Sequence, residues 1–463
     1  MASHLDQKNP SGSPLPNGYT LLSYSPDDVI LGRRRREPCT PKRFFKALLM
    51  AGGAFFVLST LAHGTFFCAK RWSVHSVIPN HWDENPIPDD VALSHCASSD
   101  DWEVEDRVTD FDWKLRFPYQ STTHFDIPLA PDTLWFVTKG ISSVGSLNIV
   151  TSPDQPKDKI TYYVTAHYYK EEVRDLADVC IITKKDNENQ EGVGIFTSRH
   201  GEPRRRRENR LSFETTIVFP ESDDGSALLI KDFVADTFIT RIQTSSLAEK
   251  IIFKNISLQG YLAPIKFSLR AVEGTISTSN APIEGYFNTT GNLELITRNA
   301  NIKVDIVATS VKNGSEPKVI LETVNAPIEG SFHLVSAEGA NGTFHVTAKT
   351  RNSPLKVKFE DAPADAILVF NAETANSPAE VALHPTFEGS FLAETSTFFQ
   401  AKVLYDQDEE DPIGKERQRQ VLFEGKNNGQ TKQGYVFWGD QEKEKLKGRV
   451  TVKTSLSPVE LQL

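Results

Sequence analysis

The chain repeats one eight-residue pattern, most clearly as TSNAPIEG at 278–285 and TVNAPIEG at 323–330. Further copies keep its first Thr, an apolar sixth residue and a charged seventh residue: TRNANIKV (297–304), TRNSPLKV (350–357), TANSPAEV (374–381) and TSLSPVEL (454–461). The first five copies begin 19, 26, 27 and 24 residues apart. A unit that recurs at such a spacing is typical of a repeat architecture.

Each position of the unit has a physical interpretation. Apolar residues stand four and two positions before the Thr, as Leu293 and Leu295 do before Thr297, which predicts a strand with one buried face. The Thr-x-Asn step suits a turn, because Asn tolerates left-handed backbone and hydrogen-bonds its own neighbours. The Pro that follows suits the start of a strand, where its missing N–H is not needed. A charged residue between two inward-facing residues, as in 302–304, then predicts the next strand.

A corner between two strands that recurs at this spacing predicts the coils of a β-solenoid. Stacked coils would also align equivalent amides into a hydrogen-bonded ladder. The side chains of that ladder would be Asn280, Asn299, Asn325, Asn352 and Asn376. A β-sandwich of hairpins is the alternative fold, but its turns would not need the same corner five times. From residue 116 onward the other segments alternate as strands do, so we expect an all-β ectodomain.

These T-x-N-[AS]-P-[ILV]-x-[GV] corners resemble the repeats of adhesin-like β-solenoid families known from bacteria. The layout is similar to that of uncharacterised fungal single-pass membrane proteins whose β domain ends in T-S-x-S-P-V-x-L, here 454–461. The resemblance covers about 145–463 in general pattern and 266–463 in clear motif. It implies a binding or adhesion surface without catalytic residues. One departure is ETSTFFQAKV at 394–403, where the degenerate unit leaves coil stacking open.

An apolar segment precedes the β part. Residues 47–69 contain no Asp, Glu, Lys or Arg over 23 positions, and as a helix they would be about 34 Å long, enough to span a bilayer core of about 30 Å. Residues 33–46 hold seven Lys or Arg, whereas only Lys70 and Arg71 follow the segment directly, which predicts a cytoplasmic N-terminus. We expect a type II single-pass protein with a lumenal or extracellular C-terminus, in the plasma membrane or secretory pathway. A buried core helix is the alternative.

The sequence therefore predicts five segments along the chain. They are a disordered cytoplasmic tail (1–43), a transmembrane helix (44–69), a stalk (70–115), an N-terminal β region (116–265) and a repeat β-solenoid (266–463).

Candidate modification sites lie after the predicted span. Four N-glycosylation sequons follow it and none precedes it, as a lumenal location requires: Asn255, Asn288, Asn313 and Asn341. Cys96 and Cys180 are the two cysteines of this part, and they predict either one disulfide in an oxidising compartment or two buried thiols.

Charge limits the partners. Residues 1–70 have a net charge of +5 and the whole chain has −10, so residues 71–463 carry −15. An acidic exterior argues against nucleic acid, which needs clustered cations. The expected partners are a lipid bilayer and a glycan or cell-wall polymer. The basic run Arg204, Arg205, Arg206 and Arg207 has three interpretations: a solvated loop, an anion-binding patch, or a protease processing site.

Familiar enzyme motifs are absent, including G-x-S-x-G, H-E-x-x-H, a Walker loop and C-x-x-C. The alternative to a binding protein is a membrane-tethered carbohydrate-active enzyme, since glycoside hydrolysis needs paired carboxylates. Four glutamates would form a row on stacked coils: Glu284, Glu329, Glu380 and Glu460. Lys303 and Lys356 interrupt that row, which favours a salt-bridged surface. We expect no enzyme and no cofactor, but a binding, adhesion or structural surface.

Overall fold

The computed structural model describes residues 86–105, 117–140, 142–197, 207–244, 247–312, 314–338, 342–440 and 446–463. All of them belong to one compact unit, Asp83–Leu463. They form 28 strands, one α-helix (α1, Glu171–Arg174) and two 3-10 helices (Ser99–Asp101 and Arg207–Asn209). The predicted all-β class is confirmed for these residues, whose strands join in one large mixed sheet.

The predicted tail (1–43) and transmembrane helix (44–69) lie outside the described residues. Within the described ranges, no helix combines the length and the apolar character needed to span a bilayer.

The strands fall into three groups along the chain. Twelve precede the repeats: β1 (Val91–Cys96), β2 (Glu103–Glu105), β3 (Tyr119–Pro128), β4 (Thr133–Lys139), β5 (Gly145–Ser152), β6 (Lys159–Tyr168), β7 (Ala177–Lys184), β8 (Asn187–Thr197), β9 (Leu211–Pro220), β10 (Leu228–Thr237), β11 (Thr240–Thr244) and β12 (Ile251–Gln259). Ten carry the first five corners: β13 (Ile265–Ser277), β14 (Ile283–Thr289), β15 (Asn292–Ile296), β16 (Ile302–Ser310), β17 (Lys318–Glu322), β18 (Ile328–Ser336), β19 (Thr343–Lys349), β20 (Leu355–Asp361), β21 (Ile367–Glu373) and β22 (Ala379–Ala382). Six follow: β23 (Gly389–Glu394), β24 (Ala401–Leu404), β25 (Arg419–Asn427), β26 (Thr431–Trp438), β27 (Gly448–Lys453) and β28 (Val459–Gln462).

The repeat strands pair in two parallel ladders. In ladder A each strand follows a corner, in the order β14, β16, β18, β20 and β22. In ladder B each strand precedes a corner, in the order β15, β17, β19 and β21. Strand β13 is long enough for both, pairing with β14 through 265–271 and with β15 through 274–277. Strands one repeat apart are therefore neighbours, whereas strands adjacent in sequence lie in different ladders.

The core lies between the two ladders. The apolar residues that precede each Thr face inward as predicted, and Leu293, Leu295 and Leu321 are at most 1 % exposed. The apolar residues that follow each corner, such as Ile302 and Ile328, are fully buried in the same cluster. Burying apolar surface stabilises the folded state by about 25 cal/mol per Å². Each coil is therefore stabilised mainly by the buried apolar side chains of its own two strands and of the neighbouring coils.

The last two strands lie inside the stack. Strand β27 lies between β21 and β23, and β28 lies between β22 and β24, with parallel pairing on both sides. The degenerate segment 394–403 therefore does stack, but on the corner 454–458, with Thr454 Oγ1 2.9 Å from Thr395 Oγ1. Beyond β23, strands β26 and β25 extend ladder B, and both pair antiparallel to their neighbours.

Both ladders continue toward the N-terminus without a break at 265. Ladder B continues through β12, β10, β4 and β8 and ends in antiparallel β7 and β1. Ladder A continues through β11, β5 and β9 and ends in antiparallel β6, β3 and β2.

The predicted stalk (70–115) needs correction over 91–105. Strands β1 and β2 belong to the sheet, where they pair with β7 and β3. They are short edge strands, and most of β1 is exposed, so the sequence shows no alternation there.

Candidate functional site

The corners are held together by side-chain hydrogen bonds. From Asn299 onward, each of the predicted asparagines donates its amide N–H to the amide oxygen of the preceding corner, beginning with Asn280 Oδ1, and the four Nδ2···Oδ1 distances are 2.6–2.7 Å. The predicted Asn ladder is confirmed. Beneath it, the buried hydroxyls of Thr323 and Thr350 each donate to a corner carbonyl at 3.2 Å. A depression of about 350 Å³ beside Asn299 and Pro327 adjoins this ladder, but the ladder amides already bond one another.

The glutamate row considered for catalysis is a mixed charge row. The register places Glu284, Lys303, Glu329, Lys356, Glu380 and Glu460 on successive strands of ladder A. Lys303 Nζ lies 3.1 Å from Glu329 Oε2, and Lys356 Nζ lies 4.0 Å from Glu380 Oε2. The predicted salt-bridged surface is confirmed for these two pairs, which are exposed and so contribute little to stability.

Two of the four sequons lie on described strands. Asn255 is exposed in the middle of β12, and Asn288 is partly exposed on β14. Asn313 and Asn341 lie outside the described residues, as do Arg204, Arg205 and Arg206. Arg207 begins the second 3-10 helix.

The structure joins Cys96 of β1 to Cys180 of β7 by a disulfide, and the two residues are direct register partners. The bond spans 84 residues of sequence. It ties the edge strand β1 to the sheet.

A groove of about 450 Å³ crosses the outer face of ladder B. The register arranges its lining in two rows that run across the strands. The first row is Gln190, Thr133, Asp232, Asn255 and Glu273. The second row is Trp135, Val234, Ser257, Thr275 and Glu294. Because paired strands lie about 4.8 Å apart, each row presents one side chain at about that interval.

Trp135 forms one end of the groove. Its β8 partner is Gly192, which has no side chain, so the indole reaches across β8 toward β7. There Lys184 Nζ lies 4.9 Å from the ring centre, a cation–π contact. Trp135 also packs against a small apolar cluster that includes Ile182 and Phe196. These contacts fix the indole as a rigid wall.

The groove is acidic and amide-rich. The described residues that line it include Asp232, Glu273 and Glu294 and no Lys or Arg. Asn255 Nδ2 donates a hydrogen bond to Asp232 Oδ1 across the β10–β12 pair. Carboxylates accept hydrogen bonds and amides both donate and accept, so this surface can bond to a ligand rich in hydroxyl groups. In the described ranges, no group of three or more His, Cys, Asp or Glu side chains is placed to hold a metal ion.

The sequence did not reveal this groove. Its residues come from separate strands between Thr133 and Glu294, and each one alone resembles an ordinary outward residue of a half-buried strand. Only the parallel register brings them into rows.

No protein-family model matches the chain, and no curated protein matches it. Among solved structures, the chain is similar to a putative cell adhesion protein from Clostridium sporogenes, at 8 % identity, covering 74 % of this chain and 99 % of that chain, with a TM-score of 0.16. A similarity at that TM-score identifies neither a fold nor a function.

Proposed function

We propose that the chain is a type II single-pass membrane glycoprotein whose ectodomain is a non-catalytic β-solenoid that binds a glycan or cell-wall polymer. The groove on ladder B is the binding surface. The apolar segment 47–69 and the sequons behind it support the topology.

The pairing pattern supports the solenoid over the sandwich. Hairpins of a sandwich pair strands that are adjacent in sequence and antiparallel. Here β14 pairs in parallel with β16, and β15 pairs in parallel with β17, while a Thr-x-Asn corner separates β15 from β16. Each coil thus adds one strand to each ladder.

The groove carries the functional proposal. Its lining combines a rigid indole with carboxylates, amides and hydroxyls, a composition suited to the hydroxyl groups and apolar faces of sugar rings. Three carboxylates, with no Lys or Arg among the described residues that line the groove, would repel an acidic polymer. The ligand class is therefore a neutral saccharide, lying across the strands along the two rows.

Binding of full-length protein from a host that attaches no N-glycans tests this proposal. We expect it to bind neutral oligosaccharides and not uronate polymers. Trp135→Ala and Glu273→Gln should weaken binding at least tenfold. The matched control, Glu329→Gln on ladder A, should bind as the parent does, because Glu329 lies on the other face. Absence of neutral-saccharide binding, or equal effects of all three substitutions, would overturn the proposal.

A carbohydrate-active enzyme is the second candidate, favoured by the three carboxylates in one groove. Asp232 and Glu273 lie two strands apart in one row, about 9.6 Å by the usual strand spacing. Hydrolysis, however, needs two carboxyl groups that flank the scissile bond, and these three project from the same sheet face. Reducing-end release from neutral oligosaccharides, abolished by Glu273→Gln, would establish the enzyme instead.

A further inference from the structure

Three consecutive residues of one sequon line the groove. Asn255, Ile256 and Ser257 all belong to its lining, and they form the acceptor pattern Asn-x-Ser. We propose that an N-linked glycan on Asn255 closes the groove, so that occupancy of this sequon decides whether the binding surface is available. This inference rests on the proposed function and adds its regulation.

The Asn255 side chain is placed to carry a glycan without losing its hydrogen bond. Its Nδ2 has two hydrogens, one of which it donates to Asp232 Oδ1. An N-glycosidic bond replaces one amide hydrogen and leaves the other for Asp232. On the side away from β10, the register places Glu273 of β13 next to Asn255, and β15 follows β13.

The side chains on that side of the groove suit a covalently attached sugar. Glu273 and Thr275 on β13 and Asn292 and Glu294 on β15 offer acceptors and donors to its hydroxyl and acetamido groups. A tethered sugar has an effective concentration in the millimolar range or above, so it competes strongly with a free saccharide for the same groups.

The attachment is a group transfer in the secretory lumen. Asn255 Nδ2 forms a bond to C1 of an oligosaccharide held on a lipid diphosphate, the C1–O bond to the diphosphate breaks, and lipid diphosphate leaves with the bonding electrons. The amide loses one proton to solvent. The donor and its transferase are components of that compartment.

The second described sequon gives a matched control. Asn288 lies on ladder A, with Arg270 and Val307 as its register partners, and neither of them lines the groove. A glycan at Asn288 therefore leaves the groove open.

The experiment compares four full-length proteins from a glycosylating eukaryotic host: the parent, Ser257→Ala, Ser257→Thr and Thr290→Ala. Ser257→Ala removes the Asn255 sequon but keeps Asn255, and Ser257→Thr keeps the sequon. Thr290→Ala removes the sequon of Asn288. Peptide mass spectrometry measures occupancy at both asparagines, and the neutral-saccharide assay measures binding.

We expect Asn255 to be occupied in the parent, and Ser257→Ala to bind at least tenfold more tightly than the parent. Ser257→Thr, which keeps the glycan, should bind no more tightly than the parent, and Thr290→Ala, outside the groove lining, should bind as the parent does. The parent made without N-glycans keeps the Ser257 hydroxyl and should also bind at least tenfold more tightly than the occupied parent, which separates the effect of the glycan from that of the hydroxyl.

An unoccupied Asn255 in the parent would overturn the inference, and so would equal binding by the occupied parent and the parent made without N-glycans. In both cases the proposed function stands, because the saccharide still binds. If the glycan-free protein binds no neutral saccharide, the proposed function fails and this inference fails with it.

Discussion

Truncating Leu461 tests whether the last two strands lie inside the stack. Leu461 is fully buried on β28, where its register partners are Val381 of β22 and Val403 of β24. Leu→Ala removes three carbons at about 0.8 kcal/mol each and leaves a cavity, so the free energy of unfolding should fall by about 3 kcal/mol. That change lowers the folding equilibrium constant about 150-fold.

The same motif supplies the control. Leu456 stands five residues earlier in the corner and is 55 % exposed, so Leu456→Ala should change the free energy of unfolding by less than about 0.5 kcal/mol. Urea unfolding of both full-length variants, followed by far-UV circular dichroism, gives the comparison. If Leu461→Ala and Leu456→Ala had equal small effects, β28 would not be an internal strand and the insertion would be refuted.

Three further predictions concern the disulfide and two carboxylates. Replacing Cys96 and Cys180 by Ser should lower the free energy of unfolding by about 4.5 kcal/mol, from the loop of 84 residues, and an unchanged melting temperature would contradict this. Burial raises the pKa of Glu322, and the nearby Lys349 opposes this shift. The ionised carboxylate is therefore disfavoured in the folded state, so the free energy of unfolding falls as the pH rises above the ordinary pKa of a glutamate. Glu322→Gln should therefore gain stability relative to the parent as pH rises from 4 to 7, whereas a pH-independent difference in urea midpoint would argue against the cause. The Arg417 guanidinium and three backbone N–H groups donate hydrogen bonds to Asp411 and hold its pKa well below its usual range. The ionised carboxylate therefore stabilises the folded state above about pH 4, and this stabilisation is lost as the pH falls below that value. Asp411→Asn should unfold more readily at pH 7 and approach the parent near pH 2, and equal offsets at both pH values would be inconsistent.

The sequence predicted what depends on local pattern. The corner residues, the inward Leu293 and Leu295 and the Asn ladder follow from positions within one repeat, because the same eight residues meet the same requirements each time. The charge row also followed, since Lys303 and Glu329 hold equivalent positions in neighbouring coils.

The sequence could not predict the stacking order. By sequence, the corner at Thr454 and the corner at Thr395 would stack equally well on the corner at Thr374. Nothing in the local sequence therefore shows that β27 lies between β21 and β23, or that β28 lies between β22 and β24. Edge strand β1 was missed because its last four residues are all exposed, so its sequence does not alternate between apolar and polar residues.

The groove on ladder B was missed for a related reason. Trp135 and Glu294 are far apart in sequence, and they share a surface only after five strands have paired in register. A polar residue on the outer face of a strand is usually just solvated, so its pattern does not single it out.

Carboxyl footprinting would locate the bound saccharide on the protein surface. Glycan-free full-length protein would be labelled with a carbodiimide and an amine, with and without a saturating neutral oligosaccharide, and each glutamate would be quantified by mass spectrometry. If the saccharide binds in the groove, it should protect Glu273 and Glu294 from labelling and leave the labelling of Glu329 on ladder A unchanged. Protection of Glu329 instead, or no protection of Glu273 and Glu294, would contradict binding in the groove.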